Sequence, residues 1–263
     1  MRLRRLLVVA VAALVAGVGG AAIGAHSGES TPGPAPVAAG VPQPVAPAFT
    51  PGHPEPLRAA PYRSSYAPVR VAAVARSAPH PGARVVARVD ATTPEDTTNI
   101  VLVLGRRADR SGRLWVKVRL ATLPNSRTGW LPRSTLGGYG SVDTRLVVDL
   151  RRLTATLMRR GRPIFRARVG VGRPQWPTPR GEFYVRNRLT KFAGPTYGPL
   201  AFGTSARSTH LTDWPDGGFI GIHGTDEPQL LPGRVSHGCI RMRNADILRL
   251  ARLMPIGTPL TIA

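Results

Sequence analysis

From residue 81 onward, apolar and polar residues alternate in short blocks that predict strands. Leu114-Trp115-Val116-Lys117-Val118-Arg119-Leu120 alternates at period two, the pattern of a strand with one face buried. Arg84 to Val89 alternates in part, and Ile100 to Leu104 is a short apolar run. Gly105 to Gly112 reads as a turn, and Gly129-Trp130-Leu131-Pro132 closes the group. Short strands at close spacing with turn signals predict a small barrel over 81–136, with Trp115 and Trp130 packed in its core. Gly137-Gly138-Tyr139-Gly140 reads as a hinge to a second strand-rich unit over 142–263. Strands are predicted there at Thr144 to Asp149, Thr154 to Met158, Ile164 to Val171, Phe183 to Arg188, Phe219 to His223 and Pro259 to Ile262. Arg159-Arg160-Gly161-Arg162 suits a tight hairpin turn between the second and third. A short helix is predicted at Ala245 to Met254, with apolar residues at 247, 248, 250, 251 and 254 and Asn244 as its cap. The fold class is therefore mainly β, with one or two short helices.

The chain before residue 81 has a different pattern. Residues 26–80 are rich in Pro, Ala, Gly and Ser, as in Thr31-Pro32-Gly33-Pro34-Ala35-Pro36. Such a stretch buries too little apolar surface to offset its ordering entropy, and its prolines keep it extended. It reads as a disordered spacer. Ahead of it, Arg2, Arg4 and Arg5 precede an uninterrupted run of apolar residues and Gly from Leu6 to Ile23, followed by small residues. Residues 1–25 thus read as a signal peptide or a single membrane anchor. With the basic residues ahead of the run, the rest of the chain is expected outside the cytoplasm.

Charge adds a preference for polyanions. The 263 residues hold 36 Lys+Arg against 14 Asp+Glu, a formal net charge of +22. An anionic wall polymer or an anionic membrane face fits this balance. No zinc-finger spacing or aromatic RNA-binding motif accompanies the charge, so nucleic acid is not expected as a partner. Nothing in the sequence predicts an oligomer, and a monomer is expected.

Cys239 is the one cysteine. Exported proteins usually use cysteines in disulfide pairs, which a single residue cannot form within its own chain. Its neighbours point to nucleophilic chemistry. A thiol attacks as thiolate, and a nearby imidazole can take the proton. His223 ends the apolar strand Ile220-Gly221-Ile222-His223 and is the candidate proton acceptor and donor. His237 stands two residues before Cys239, a more constrained position. Gly238 lets the chain turn sharply, and the backbone N–H groups around it suit an oxyanion hole. An alternative would use His223, His237 and Cys239 as zinc ligands with Asp213 or Asp226, although His-x-Cys is not a usual structural-site spacing.

Two resemblances follow from these residues. Leu114-Trp115-Val116-Lys117-Val118 with Gly129-Trp130-Leu131-Pro132 resembles bacterial SH3-like domains. His223-Gly224-Thr225, followed by Ser236-His237-Gly238-Cys239-Ile240-Arg241-Met242, resembles the signature of the YkuD-type L,D-transpeptidase catalytic domain. Val169-Gly170-Val171-Gly172 with Thr178-Pro179-Arg180-Gly181-Glu182-Phe183 is similar to the same family's upstream motif. This second resemblance covers 142–263. It implies a β-sandwich-like catalytic domain behind the SH3-like barrel, peptidoglycan stem peptides as partners, and no cofactor or metal.

The family resemblance also implies roles. Cys239 would form a thioester with a donor tetrapeptide stem and release D-Ala, with His223 as base and then acid. An amine of an acceptor stem would then take the acyl group. Ser236, His237 and Gly238 would shape the site, and Arg241 and Gly224 would contact substrate, Arg241 through a carboxylate. Gly224 stands where some members have Ser, and Arg241 where many have Asn. An L,D-carboxypeptidase, with water as acceptor, and a wall-binding protein without turnover are the alternatives.

Overall fold

The computed structural model describes residues 62–190, 195–211 and 218–263, all within one compact unit. The expected leader and residues 26–61 of the expected spacer lie outside the described residues. Two sheets account for most of the rest.

The first sheet is antiparallel and seven-stranded. It contains β1 (Ser64–Pro68), β2 (Ala73–Arg76), β3 (Val85–Val89), β4 (Ile100–Ala108), β5 (Leu114–Arg119), β6 (Thr128–Pro132) and β7 (Gly140–Val142), in the order β3-β2-β6-β5-β4-β1-β7. Alternation in β5 turns Val116 and Val118 into a core shared with Ala67, Val101, Val103 and Leu131. Trp115 is buried as expected, and its Nε1–H donates to Asp109 Oδ2 at 2.9 Å. Trp130 is only half-buried, contrary to expectation.

Several boundaries differ from the sequence reading. The spacer does not extend to residue 80, because 64–68 and 73–76 are strands. Their composition is poor for strands, but β1 pairs with β4 and β7 on its two sides, and Ala67, Val69 and Ala75 are buried. Packing and pairing override weak local preference there. Residues 105–108 continue β4 instead of turning. The expected hinge is fastened to the sheet: Gly137 N–H donates to Pro68 O, and Gly140 pairs with Tyr66.

The second sheet has ten strands. They are β8 (Thr144–Asp149), β9 (Thr154–Arg159), β10 (Arg162–Arg168), β11 (Gly170–Gly172), β12 (Gly181–Leu189), β13 (Ala201–Arg207), β14 (Phe219–His223), β15 (Gly233–Ser236), β16 (Ile240–Arg241) and β17 (Pro259–Ile262). Their order is β10-β9-β8-β17-β12-β13-β14-β16-β11-β15. The predicted strand over 164–171 divides into β10 and β11, which pair with different partners. The hairpin turn lies where expected, with Arg160 and Gly161 both at positive φ.

One α-helix, α1 (Asn244–Leu253), is found among the described residues. It buries Ile247 and Leu250 in the core of this sheet. Its cap residue is Arg243, not Asn244. The Asn244 side chain turns away from the helix end and accepts the Thr225 N–H at 2.9 Å.

The two sheets are joined by specific contacts. Ile100, Leu102 and Tyr184 form a small buried cluster against Tyr66, and Tyr184 O–H donates to Ile100 O at 2.9 Å. Ser126 Oγ accepts the Glu182 N–H at 2.9 Å. Asn125 pairs with the backbone of Arg207 in both directions, donating to its carbonyl at 2.7 Å and accepting its N–H at 2.9 Å.

Candidate active site

A cleft of about 610 Å³ opens over β13 and β14, a size usual for a ligand site. Cys239, His223, Ser236, His237 and Arg241 all border it. Topology brings them together. β16 runs parallel to β14, with Ile222 beside Ile240 and His223 beside Arg241, so Cys239 arrives alongside Gly221. The Gly221 N–H donates to Cys239 Sγ at 3.3 Å. The point where a Cβ on Gly221 would sit is 3.8 Å from both Cys239 Sγ and His223 Cδ2. Sulfur and imidazole thus flank one bare glycine.

His223 is buried, and its Nδ1 lies 2.6 Å from the carbonyl oxygen of Gly224. A carbonyl only accepts, so Nδ1 carries the hydrogen and Nε2 is left as the basic nitrogen. The Tyr197 ring and the imidazole meet in a T-shaped contact, with centroids 4.8 Å apart. Burial pulls the His223 pKa down to about 4 from 6.5. The Gly224 bond opposes that shift, while Arg241 adds to it. Burial likewise raises the Cys239 thiol above its ordinary 9.0, against the lowering effects of the Gly221 N–H and of Arg241. Burial thus favours the neutral form of each group, thiol and imidazole.

The turn into Cys239 is built by two side chains and a glycine. Ser236 Oγ donates to Cys239 O at 2.6 Å and accepts the Gly238 N–H at 3.1 Å. That N–H is thus engaged within the protein, and the expected oxyanion role does not fit it. Gly238 has φ +117, and a Cβ there would meet Ile220 Cδ1 at 2.9 Å, so the position requires glycine. Thr178 fixes the turn from below: its Oγ1 donates to Gly238 O at 2.7 Å and accepts the Gly172 N–H at 2.8 Å. The upstream motif is a brace for the cysteine turn. The exposed His237 ring lies against Trp176, with centroids 4.3 Å apart.

Two residues expected to contact substrate are engaged within the protein. Gly224 is buried against Asn244, Pro199 and Gly198, and its carbonyl serves His223. It orients the base and is closed to substrate. Arg241 meets a protein carboxylate: Nη1 lies 2.8 Å from Glu227 Oε2, and the side chain is 13% exposed. Its charge acts on the cysteine–histidine pair. Trp176, Thr178, Tyr197, Gly221 and Asn244 were not singled out by the sequence reading as site residues. Thr178 carried a signal through its place in the upstream motif, and Gly221 through the strand that ends in His223.

This arrangement of nucleophile, buried base and braced turn coincides with a family match. Residues 143–262 match the model of the YkuD L,D-transpeptidase catalytic domain. A provisionally named L,D-transpeptidase, YkuD, of Bacillus licheniformis is 37% identical over 122 residues, covering 46% of this chain and 67% of the relative. The chain belongs to the YkuD family of L,D-transpeptidases. The Bacillus subtilis protein of the same name is 35% identical over the same shares. Among solved structures, an L,D-transpeptidase of Enterococcus faecium is 24% identical with a TM-score of 0.37, covering 46% of this chain. This chain spans about half of that one, 49%. An L,D-transpeptidase of Mycobacterium smegmatis is 16% identical with a TM-score of 0.40, covering 81% of this chain and all of the other. Scores this low add nothing to the assignment, which rests on the sequence matches. The transpeptidase domain thus comprises β8 to β17 and α1, and the seven-stranded sheet lies ahead of the matched region.

Proposed function

We propose that this chain is an exported peptidoglycan L,D-transpeptidase that works through a thioester on Cys239. The observation that carries this reading is the pairing of Cys239 Sγ and the His223 ring across bare Gly221, inside an open cleft. In the first half-reaction His223 Nε2 takes the thiol proton as sulfur attacks the carbonyl that follows the L-centre of a diamino acid in a tetrapeptide stem. The C–N bond to the terminal D-Ala breaks, and the proton passes from His223 to the departing nitrogen. In the second half-reaction an acceptor amine attacks the thioester carbonyl and gives its proton to His223. The C–S bond breaks, and sulfur regains the proton. The Gly221 N–H favours negative charge on sulfur as it develops.

The neutral resting pair suits this sequence, because proton transfer is coupled to attack and the desolvated thiol is spared side reactions. The basic run ahead of the apolar segment at 6–23 supports export, and the net charge of +22 supports contact with anionic wall or membrane surfaces.

Incubation of the full chain with disaccharide tetrapeptides, read by mass spectrometry, tests the reading. Cross-linked dimers that have lost one D-Ala are expected, and Cys239→Ala abolishes them. A tripeptide product without dimers would make the enzyme an L,D-carboxypeptidase. Full activity in Cys239→Ala would remove the nucleophile assignment. A carbapenem should add its mass to the intact wild type and not to the variant.

A further inference from the structure

The cleft has a wall whose support comes from outside the transpeptidase domain. Glu95 lies between β3 and β4 of the first sheet, yet it borders the same cleft as Cys239 and His223. Its side chain is 13% exposed. Oε1 accepts from Arg186 Nη2 at 2.9 Å, and Oε2 accepts from Asn187 Nδ2 at 3.1 Å. Arg186 is 2% exposed, and its Nε–H donates to Thr204 O at 2.9 Å. Its guanidinium carbon stands 3.8 Å from the centre of the Phe219 ring. Phe219 begins β14, four residues before His223, and also borders the cleft.

The loop that presents Glu95 is held in shape before it reaches its partners. Thr93 N–H donates to Thr97 O at 2.8 Å, and the two threonine hydroxyls are 2.8 Å apart. Asn187 Nδ2 also reaches Thr97 Oγ1 at 2.9 Å. A second link runs parallel to the first. Asn125, also from the first sheet, binds the Arg207 backbone, and the Arg207 guanidinium lies 4.8 Å from the Phe219 ring on its own account. Phe219 is thus contacted by two arginines, one held at its guanidinium by Glu95 and the other at its backbone by Asn125, both from loops of the first sheet. A stacked guanidinium attracts the ring face, and a buried one needs its counter-charge to stay in place.

We infer that the 92–98 loop of the first sheet is a working part of the donor cleft, with Glu95 a positioning residue that acts through Arg186 on the Phe219 wall. This rests on the transpeptidase reading. It goes beyond that reading by making donor-stem recognition depend on a residue outside the matched family domain. Cys239 and His223 take no hydrogen bond from this network. The thiol should therefore keep its intrinsic reactivity when Glu95 changes, while the fit of a large donor should not. Glutamine at 95 retains an acceptor for Arg186 but turns an amide NH₂ toward Asn187 Nδ2. Asn187 Oδ1 is already engaged by the Gly203 N–H at 3.0 Å, so the amide cannot simply flip.

Glu95→Ala and Glu95→Gln in the full chain test this through three measurements: donor KM and kcat, the alkylation rate of Cys239 by iodoacetamide, and amide hydrogen exchange over 218–223. For Glu95→Ala, donor KM should rise about tenfold with kcat changed much less, as loss of ground-state fit requires. Exchange at Phe219 and Ile220 should quicken, alkylation should stay near the wild-type rate, and Glu95→Gln should fall between. If the alanine variant does not fold, the glutamine variant alone must show the KM and exchange changes. Unchanged KM and exchange in a folded variant would overturn the inference, as would alkylation falling in step with turnover. If the wild type itself does not turn over stem peptides, the transpeptidase reading fails. The exchange and alkylation results still decide whether Glu95 governs the wall.

Discussion

Both members of the Cys239–His223 pair are pushed toward neutrality by the same cause, burial. The sign matters for reactivity. A thiol raised above 9.0 carries little thiolate at pH 7, and an imidazole lowered to about 4 stays unprotonated down to that value. Burial moves both titrations away from neutrality, His223 downward and Cys239 upward. Alkylation of Cys239 by iodoacetamide should therefore be slower at pH 7 than that of an unhindered thiol, and should still be rising past pH 9. A plateau reached below pH 7 would mean a preformed thiolate–imidazolium pair instead. The same geometry sharpens the sequence reading of His223 as base. Its tautomer is set by the Gly224 carbonyl, a backbone contact that no spacing of residue types could reveal.

Strands marked by apolar alternation or an apolar run were legible, and strands built of small or weakly apolar residues were not. β8, β14 and β17 lie where the pattern of apolar residues put them. β13, Ala201-Phe202-Gly203-Thr204-Ser205-Ala206-Arg207, escaped notice. Six of its seven residues are buried, but most are small and two are polar, so neither alternation nor an apolar run marks a strand. β1 was missed because its partners β4 and β7 lie far along the chain, and β2 because it is short and weakly apolar. The cysteine turn was legible as a motif, but its brace was not, because Thr178 and Gly238 are 60 residues apart. That brace is testable. Thr178→Val leaves the Gly172 N–H and the Gly238 carbonyl buried without a partner, at about 1–3 kcal/mol for each. Urea denaturation should show the loss, turnover should fall with it, and Thr178→Ser should restore most of both. A valine variant of wild-type stability and activity would show that the turn holds without this brace.

Across the whole molecule, the two sheets share buried contacts and should unfold together. Tyr184 is the clearest probe. It lies in β12, is 1% exposed, and sends its hydroxyl to Ile100 of the other sheet. Tyr184→Phe strands that carbonyl and should cost about 1–3 kcal/mol. Calorimetry should show one transition for both wild type and variant, displaced downward in the variant. Two separate transitions, with only one displaced, would mean that the sheets are energetically independent.

Arg186 has a consequence for anyone recombining such proteins. Its guanidinium is buried where the two halves of the chain meet, and the carboxylate facing it comes from the loop between β3 and β4. A chimaera that pairs this transpeptidase domain with a foreign N-terminal module would inherit a seam cation with its neutralising group removed. Such a graft has to bring Glu95 along, or replace Arg186 at the seam, before its catalytic half can be judged on its own merits.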